Sequence, residues 1–431
     1  MLKNSAKMKL TAWFVCSIGA IFYAYEYLLR IAPSAMEIPL RHHFALTATG
    51  FGLLSSIYYY AYVPMQVPVG ILMDRFGPRR LLTLACFTCA AGAFIFSSTN
   101  MFNVAICGRL IVGIGSAFAY VGVLKLATIW FPENKLAMIA GLTAALGTIG
   151  AMIGDNVMDK IIMLSGWQQT IIWIGIIGLI LTVIIWFSIH DHKRDLESGG
   201  TIDTFKRNMY DLIIILKTKQ MWLNGLFGCL IYLPTTVFAE LWGIPYLENA
   251  HGLSASDAGF ANSLVFCGFM IGAPLMGYIS DKLSRRVLPM TIGSIGAAII
   301  MLVILYVPIP SIKLLNICMF VLGLLYSCQA IVFAIGRELS PNEAAGTAFA
   351  VTNMLVMLGA MFLQPLVGKM LDYSFISRTP PAVLEGLSKQ NVSLLYSAAD
   401  YKFAISIIPI GIVIAAILTF FIKETYAEAN N

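Results

Sequence analysis

The chain predicts an all-α integral membrane protein with twelve transmembrane helices in two pseudo-symmetric six-helix bundles. Three observations lead there. Of the 431 residues, 59% are hydrophobic and only 12% charged, with a mean hydropathy of +0.82, whereas soluble domains carry about a quarter charged residues. Apolar stretches of roughly 20 residues, enough to carry a helix across ~30 Å of hydrocarbon, recur from end to end. A short basic turn also occurs twice, at matching points of the two halves. Its first copy holds Gly70, Asp74, Arg75, Gly77, Arg79 and Arg80; its second holds Gly277, Asp281, Lys282, Arg285 and Arg286, one residue shorter for want of a proline. Duplication of a six-helix unit is the simplest source of such a pair.

In chain order the spans fall at 11–32, 48–73, 80–98, 103–130, 137–162, 169–189, 220–247, 256–280, 287–307, 312–336, 344–371 and 403–423. The first apolar run continues into Glu26 and Arg30 with no small-residue cleavage site, so it is expected to remain as a helix. Residues 190–219 form the one long polar stretch near the midpoint and read as a linker between bundles 1–189 and 220–431. Within it, 212–216 reads as a short interfacial helix or the run-in to the seventh span. A second long loop, 373–402, contains Pro380 and Pro381 and reads as a loosely ordered excursion; its Asn391-to-Ser393 sequon has meaning only in a glycosylating source. Glycines concentrate in spans 2, 4, 5, 8 and 11, where small residues let backbones approach closely and slide.

The net charge of +6 has an orientation to explain it. With the N-terminus inside, 18 lysines and arginines fall on that side and 7 on the other, with Arg30, Arg109 and Lys125 inside spans. The positive-inside rule then places both termini in the cytoplasm and the 373–402 loop outside. The bases are orientation signals and contacts for anionic lipid, not a nucleic-acid footprint. All eight cysteines lie in spans, Cys86 and Cys89 as packing residues, and the five histidines map to loops or span ends. No disulfide framework, metal site, phosphate-binding loop or catalytic constellation is read, so neither enzyme nor ATP-driven pump is expected, and no cofactor beyond an ion gradient.

Charge inside hydrocarbon is where function is sought, since an unpaired ion there costs at least ~2.5 kcal/mol. Glu26 and Arg30, four residues apart on span 1, share a helix face within reach of each other. An arginine fork suits a carboxylate or phosphate, and an adjacent glutamate suits an ammonium or a proton. A structural salt bridge is the alternative. Glu240 on span 7 and Asp155 on span 5 are the other acids, and Lys125 is expected to snorkel. Tyrosines of spans 1 and 2, including Tyr23, Tyr27, Tyr58, Tyr59, Tyr60 and Tyr62, offer hydroxyls on apolar bodies; of the consecutive three only some can face a cavity, and packing is the expected role of any one.

The duplicated turn resembles the signature loop between helices 2 and 3 of the major facilitator superfamily. The first copy fits Gly-x-x-x-Asp-Arg-x-Gly through Gly70, Asp74, Arg75 and Gly77; the second has Ser284 where the family usually has glycine. The resemblance in plan covers the whole chain. It implies that the halves pack about a pseudo-twofold axis with the binding site between them, Glu26 and Glu240 at similar depths. It also implies that Asp74, bonded to Arg80 and the start of helix 11, latches the halves, with Gly70, Arg75, Gly77 and Arg79 around it and Asp281 similarly placed toward Arg285 or Arg286. The segment from Tyr23 to Met36 is similar to helix 1 of the anion-transporting branches, which implies that Arg30 holds an anionic group, although Glu26 departs from the organophosphate exchangers. Arg109, opening a Gly113- and Gly115-containing stretch, resembles the helix 4 motif associated with packing and coupling. Span 5 lacks the Gly-Pro pair of many drug/proton antiporters.

These readings converge on a monomeric secondary transporter of a bacterial inner membrane, using alternating access for proton-coupled uptake of a small carboxylate-bearing nutrient. In general texture the chain is similar to bacterial nutrient permeases and dipeptide carriers, so amino acids or short peptides stand slightly ahead of organic acids. Substrate binding is assigned to Arg30, Glu240 and Tyr27, and proton coupling to Glu26, Glu240 and Asp155. An exchanger or exporter of an organic anion, phosphate ester or siderophore, and a non-transporting sensor, are the competing readings.

Overall fold

The computed structural model describes residues 2–132, 135–189, 202–341, 344–380 and 396–426, without the side chains of 2–9, 74, 137 and 202–208. Eleven helices among the described residues are long and apolar enough to cross a membrane. The remaining long helix, Ala48–Phe76, has 29 residues, or ~44 Å at 1.5 Å per residue. Its four tyrosines and two prolines make it less apolar without making it too short. With it the spans number twelve: span 1 Leu2–Ile31, span 2 Ala48–Phe76, span 3 Pro78–Ser97, span 4 Phe102–Trp130, span 5 Leu136–Ser165, span 6 Trp167–Ser188, span 7 Lys219–His251, span 8 Ala255–Leu283, span 9 Val287–Tyr306, span 10 Ile312–Glu338, span 11 Ala345–Arg378 and span 12 Ala398–Leu418.

Local chemistry sets the ends of these helices. Thr47 caps span 2 by accepting the Gly50 N–H at 3.3 Å, and Ser254 caps span 8 by accepting from Asp257 N–H at 3.2 Å. Ser397 and Asp400 form a reciprocal capping box at span 12. Span 2 stops at Gly77, whose φ of +79° is natural for glycine, and Pro78 then opens span 3. The corresponding stop in the second half is Ser284 at φ +52°, so the duplicated turn keeps its left-handed residue without the glycine.

Several boundaries differ from the sequence reading; span 1, for one, begins at Leu2 and not at 11. Span 11 continues as helix to Arg378 and span 12 begins at Ala398 and ends at Leu418; the loop expected at 373–402 is therefore shorter, and 381–395 lies outside the described residues. Of the expected linker, 190–201 is likewise outside the described residues. The rest is one 16-residue helix, Ile202–Lys217, not a short piece at 212–216. Its Leu212, Ile215 and Leu216 pack on Ala348, Val351 and Leu355 of span 11, which is what extends it.

The halves meet most tightly away from the basic turns. The 77, 284 and 344 connections mark one face, called here the basic face; the 32–47, 252–254 and 307–311 connections mark the opposite face. Toward the latter, span 2 lies on span 11 so closely that a Cβ at Gly52 would stand 2.6 Å from the Gln364 carbonyl, and one at Gly368 would overlap the Ala48 carbonyl. Spans 5 and 8 touch at Asp155 and Gly259, where a Cβ on the glycine would overlap the Asp155 carbonyl. Ser34 reaches from the end of span 1 to donate to the Leu241 carbonyl of span 7 at 3.2 Å. Toward the basic face, a cavity of about 560 Å³ lies between spans 5 and 8, bordered by Ala140, Gly141, Ala144, Ala273 and Pro274. The structure is closed at one face and hollow toward the other.

Candidate functional site

Just beyond the inner end of that cavity sits a charged cluster that both halves build. Arg30, 2% exposed, lies between two carboxylates, Glu26 at 0% and Glu240 at 1%. Its Nη2 donates to Glu26 Oε1 at 2.9 Å, and its Nη1 stands 3.8 Å from Glu240 Oε1. The i, i+4 spacing on one helix face makes the first contact; packing of span 1 against span 7 makes the second.

Tyrosines complete the cage. Tyr58 OH donates to Glu26 Oε2 at 2.8 Å and accepts from Arg30 Nε at 3.2 Å. Tyr27 OH donates to Glu240 Oε1 at 3.1 Å, and Tyr59 OH donates to Glu240 Oε2. The guanidinium also lies over the rings of Tyr27, Tyr62 and Tyr58, at 4.4, 5.0 and 5.4 Å from their centroids, a stacking that arginine favours. Ordinary packing therefore does not describe Tyr58 and Tyr59, both buried and bonded to the acids, although it fits Tyr60, which turns outward. A run of three tyrosines gives no signal for which two point inward; that depends on how span 2 faces spans 1 and 7.

Span 7 presents Glu240 through an unusual backbone. Pro234–Trp242 is a nine-residue π-helical stretch, a form that is rare and concentrated at functional sites. Carbonyls in this stretch are met by side chains of neighbouring spans: Gln364 Nε2 donates to Thr236 O at 2.7 Å and Asn262 Nδ2 to Ala239 O at 2.8 Å. Trp242 Nε1 in turn donates to Gln364 O at 3.1 Å. Such partners are what allow irregular backbone at membrane depth. The sequence reading placed Glu240 on an ordinary helix and missed this segment.

With both acids ionised, one guanidinium faces two carboxylates and an excess negative charge remains, which a proton or a substrate ammonium would neutralise. Freed from one glutamate, the Arg30 fork can take a substrate carboxylate. Tyr23, Tyr62 and Tyr232 line the cavity next to this cluster. The rest of the lining is mostly apolar, with Phe269, Met270, Phe333, Phe349 and Met357, and the polar Thr148, Gln329 and Asn353. Phe333 stacks on Phe349 at 4.7 Å, and Phe349 on Tyr120 at 5.8 Å.

Arg109 does not enter the cluster. It is buried and donates to the carbonyls of Leu29 at 2.7 Å and Arg30 at 3.2 Å, so it holds the end of span 1 that carries Arg30. Asp155 also lies apart, in the seam of spans 5 and 8, where Asn262 Nδ2 donates to its Oδ2 at 2.7 Å.

The turn residues fall at the basic face. The Asp74 side chain lies outside the described part of the structure. Arg75 and Arg80 are exposed, and Arg79 donates to Trp186 O at 3.0 Å with its guanidinium 4.3 Å from that ring. A Cβ at Gly70 or Gly277 would meet open space. In the second copy Lys282 and Arg285 are exposed, while Arg286 pairs with Asp281 at 2.5 Å and Glu338 at 2.7 Å. Burial works against the charge on Arg286, but the hydrogen bonds it donates to Glu338 and Asp281 outweigh that and hold the guanidinium above its usual pKa. Both partners belong to the second half.

The tie between halves that sequence reading missed is at the opposite face. Asp372 of span 11 accepts from the first N–H groups of span 2, Ala48 at 3.0 Å and Thr49 at 2.9 Å, and from Thr49 Oγ1 at 2.5 Å. Tyr396 OH donates to Asp372 and accepts from Arg41 Nη2 at 3.1 Å, and Arg41 pairs with Glu37 at 2.8 Å. A carboxylate at a helix N-terminus meets unpaired donors and the positive end of the helix dipole.

Two helical halves closed over a buried ion cluster, with a cavity beside it, define a polytopic helical membrane protein. The chain belongs to the Major Facilitator Superfamily, whose family model matches residues 15–364. It is 26% identical over 299 residues to a probable galactarate/D-glucarate transporter of Bacillus subtilis (strain 168). It is 25% identical over 291 residues to a probable L-galactonate transporter of Escherichia coli (strain K12). Those matches cover 64% and 65% of this chain and 66% and 63% of the relatives, so the chain spans somewhat under two thirds of their lengths. In fold it is similar to a bacterial homologue of the human lysosomal transporter Spinster in an inward-facing, unoccupied conformation. That likeness has a TM-score of 0.76 at 15% identity, over 97% of this chain and 98% of the other.

Proposed function

We propose that this protein is a secondary transporter that moves a small carboxylate-bearing nutrient by alternating access, with the proton gradient as its energy source. The observation that carries the proposal is Arg30, sealed with Glu26 and Glu240 at the junction of the halves. Arg30 holds the substrate carboxylate, Tyr27 and Glu240 complete the binding site, and Glu26 or Glu240 takes the coupling proton. The basic face is the cytoplasmic one in this reading, so the structure is its inward-facing state. The turns at Asp74 and Asp281 act as the latch when that face closes.

Two features favour a zwitterion with an apolar body, such as an amino acid, as the substrate. The second acid leaves room for an ammonium, and the cavity beside the cluster is lined chiefly by aromatic and aliphatic side chains. A sugar acid or another organic acid is the second reading, favoured by the substrates named for the relatives. Uptake by purified protein in liposomes tests both, comparing labelled amino acids, dipeptides, galactonate and glucarate with and without an inward pH gradient. Accumulation of an apolar amino acid supports the first reading, accumulation of a sugar acid the second, and accumulation of none with a gradient overturns both.

A further inference from the structure

Asp155 takes no part in the Arg30 cluster, yet it is 2% exposed within span 5. Its partner across the seam, Asn262 of span 8, is fully buried and spends its amide protons on Asp155 Oδ2 at 2.7 Å and the Ala239 carbonyl at 2.8 Å. Two oxygens are left over. Asp155 Oδ1 and Asn262 Oδ1 are both buried with no hydrogen-bond partner. Gly259, less than one turn before Asn262, lets the two helix backbones touch at Asp155, so the carboxyl is clamped where the halves meet.

The charged groups on the surrounding elements do not supply a counter-ion. On span 1, Arg30 is engaged by Glu26 and Glu240. In the 34–43 segment, Arg41 is engaged by Glu37. Span 7 presents Glu240 and Glu248, and span 8 presents Asp257, all acids; of these, the Glu240 charge bears on Asp155. On span 5 itself Asp159 is another acid and Lys160 is exposed. Among the described residues no cation pairs with Asp155. An ionised carboxylate in this position would be desolvated and uncompensated. One added proton does what no neighbour does: it removes the charge and turns a pair of orphaned acceptors into a donor and an acceptor.

We propose that Asp155 is a proton-binding site that controls the seam. Spans 5 and 8 close over it once its carboxylate has taken a proton from the medium at the opposite face, forming an O–H bond at Oδ1. Opening the seam returns the carboxyl to water, where it ionises and the proton leaves. The closed state thus binds one more proton than the open state, so closure is favoured as pH falls. Asn262 is the positioning residue, fixing Oδ2 so that Oδ1 is the oxygen that titrates. The inference rests on the alternating-access reading and is independent of which substrate is carried.

Distances between spin labels across the seam, at Leu164→Cys and Ser256→Cys in a background of Cys107→Ser and Cys267→Ser, test it without substrate, in lipid nanodiscs. In otherwise wild-type protein the closed-to-open ratio is expected to rise on acidification by up to about tenfold per pH unit, the limit for one linked proton. Asp155→Asn, which mimics the neutral carboxyl, is expected to stay closed at every pH, while Asp159→Asn keeps the wild-type response. If Asp155→Asn does not fold, Asn262→Leu serves instead and is expected to move the midpoint. A distribution insensitive to pH, a response to sodium in place of protons, or a wild-type titration in Asp155→Asn or Asn262→Leu would overturn the proposal. None of those results depends on the transported solute, so each would leave the substrate reading intact.

Discussion

Arg30 is the residue on which the site turns, because its planar fork touches both acids and stacks on three tyrosines at once. If the fork holds a substrate carboxylate, Arg30→Lys is expected to lose transport almost as fully as Arg30→Ala, since an ammonium keeps the charge but not the geometry. Liposome uptake measures this, and normal uptake by the lysine variant would make the cluster structural. Arg30→Ala also strands two carboxylates, at a cost of ~3–5 kcal/mol in stability, so thermal unfolding is measured alongside. Ser284 holds a left-handed backbone that costs a non-glycine residue energy. Relieving a left-handed residue gains ~1–2 kcal/mol and the freer glycine gives back ~0.5–1. Ser284→Gly is therefore expected to stabilise the protein by up to ~1.5 kcal/mol, read as a raised unfolding midpoint; a lowered midpoint would contradict the strain. At this scale the sequence showed the Glu26–Arg30 pair through its spacing and Glu240 through its charge in an apolar run. It did not show Tyr58, Tyr59 or Asp372, whose roles arise only from contacts between distant segments.

At the scale of elements, the helices were legible because each apolar run needs all its backbone groups bonded internally. The π-helical stretch Pro234–Trp242 was not. Its register depends on Gln364 and Asn262, donors more than a helical turn away in sequence and supplied by other spans. The Ile202–Lys217 helix was underestimated for a similar reason, since its apolar face is completed by span 11. The closure of the opposite face depends on a carboxylate bonded to the start of span 2. Asp372→Ala removes three accepted hydrogen bonds at that helix terminus and is expected to weaken closure by about 1–2 kcal/mol. Ser34→Cys, buried in the seam beside Leu241, should then react several-fold faster with an aqueous maleimide than it does in the wild-type background. An unchanged rate would mean that spans 5 and 8 alone hold the face shut.

For the whole molecule, the duplicated basic turn and the apolar composition were enough to read a two-part membrane fold, and the family match and structural likeness agree. The sequence left open which face would be closed, because that is a choice between states of one chain. If the excess of bases sets the orientation and the basic face is cytoplasmic, Ser377→Cys should be labelled by an impermeant maleimide on intact cells and Lys135→Cys only after permeabilisation, in a Cys107→Ser background. The reverse pattern would invert the topology. The proposed joining of substrate binding to proton movement in the Arg30 cluster is tested most directly by transport of Glu26→Gln and Glu240→Gln in liposomes. At least one of the two is expected to retain counterflow exchange of the substrate while losing accumulation driven by an inward pH gradient. Gradient-driven accumulation at the wild-type rate in both variants would contradict it.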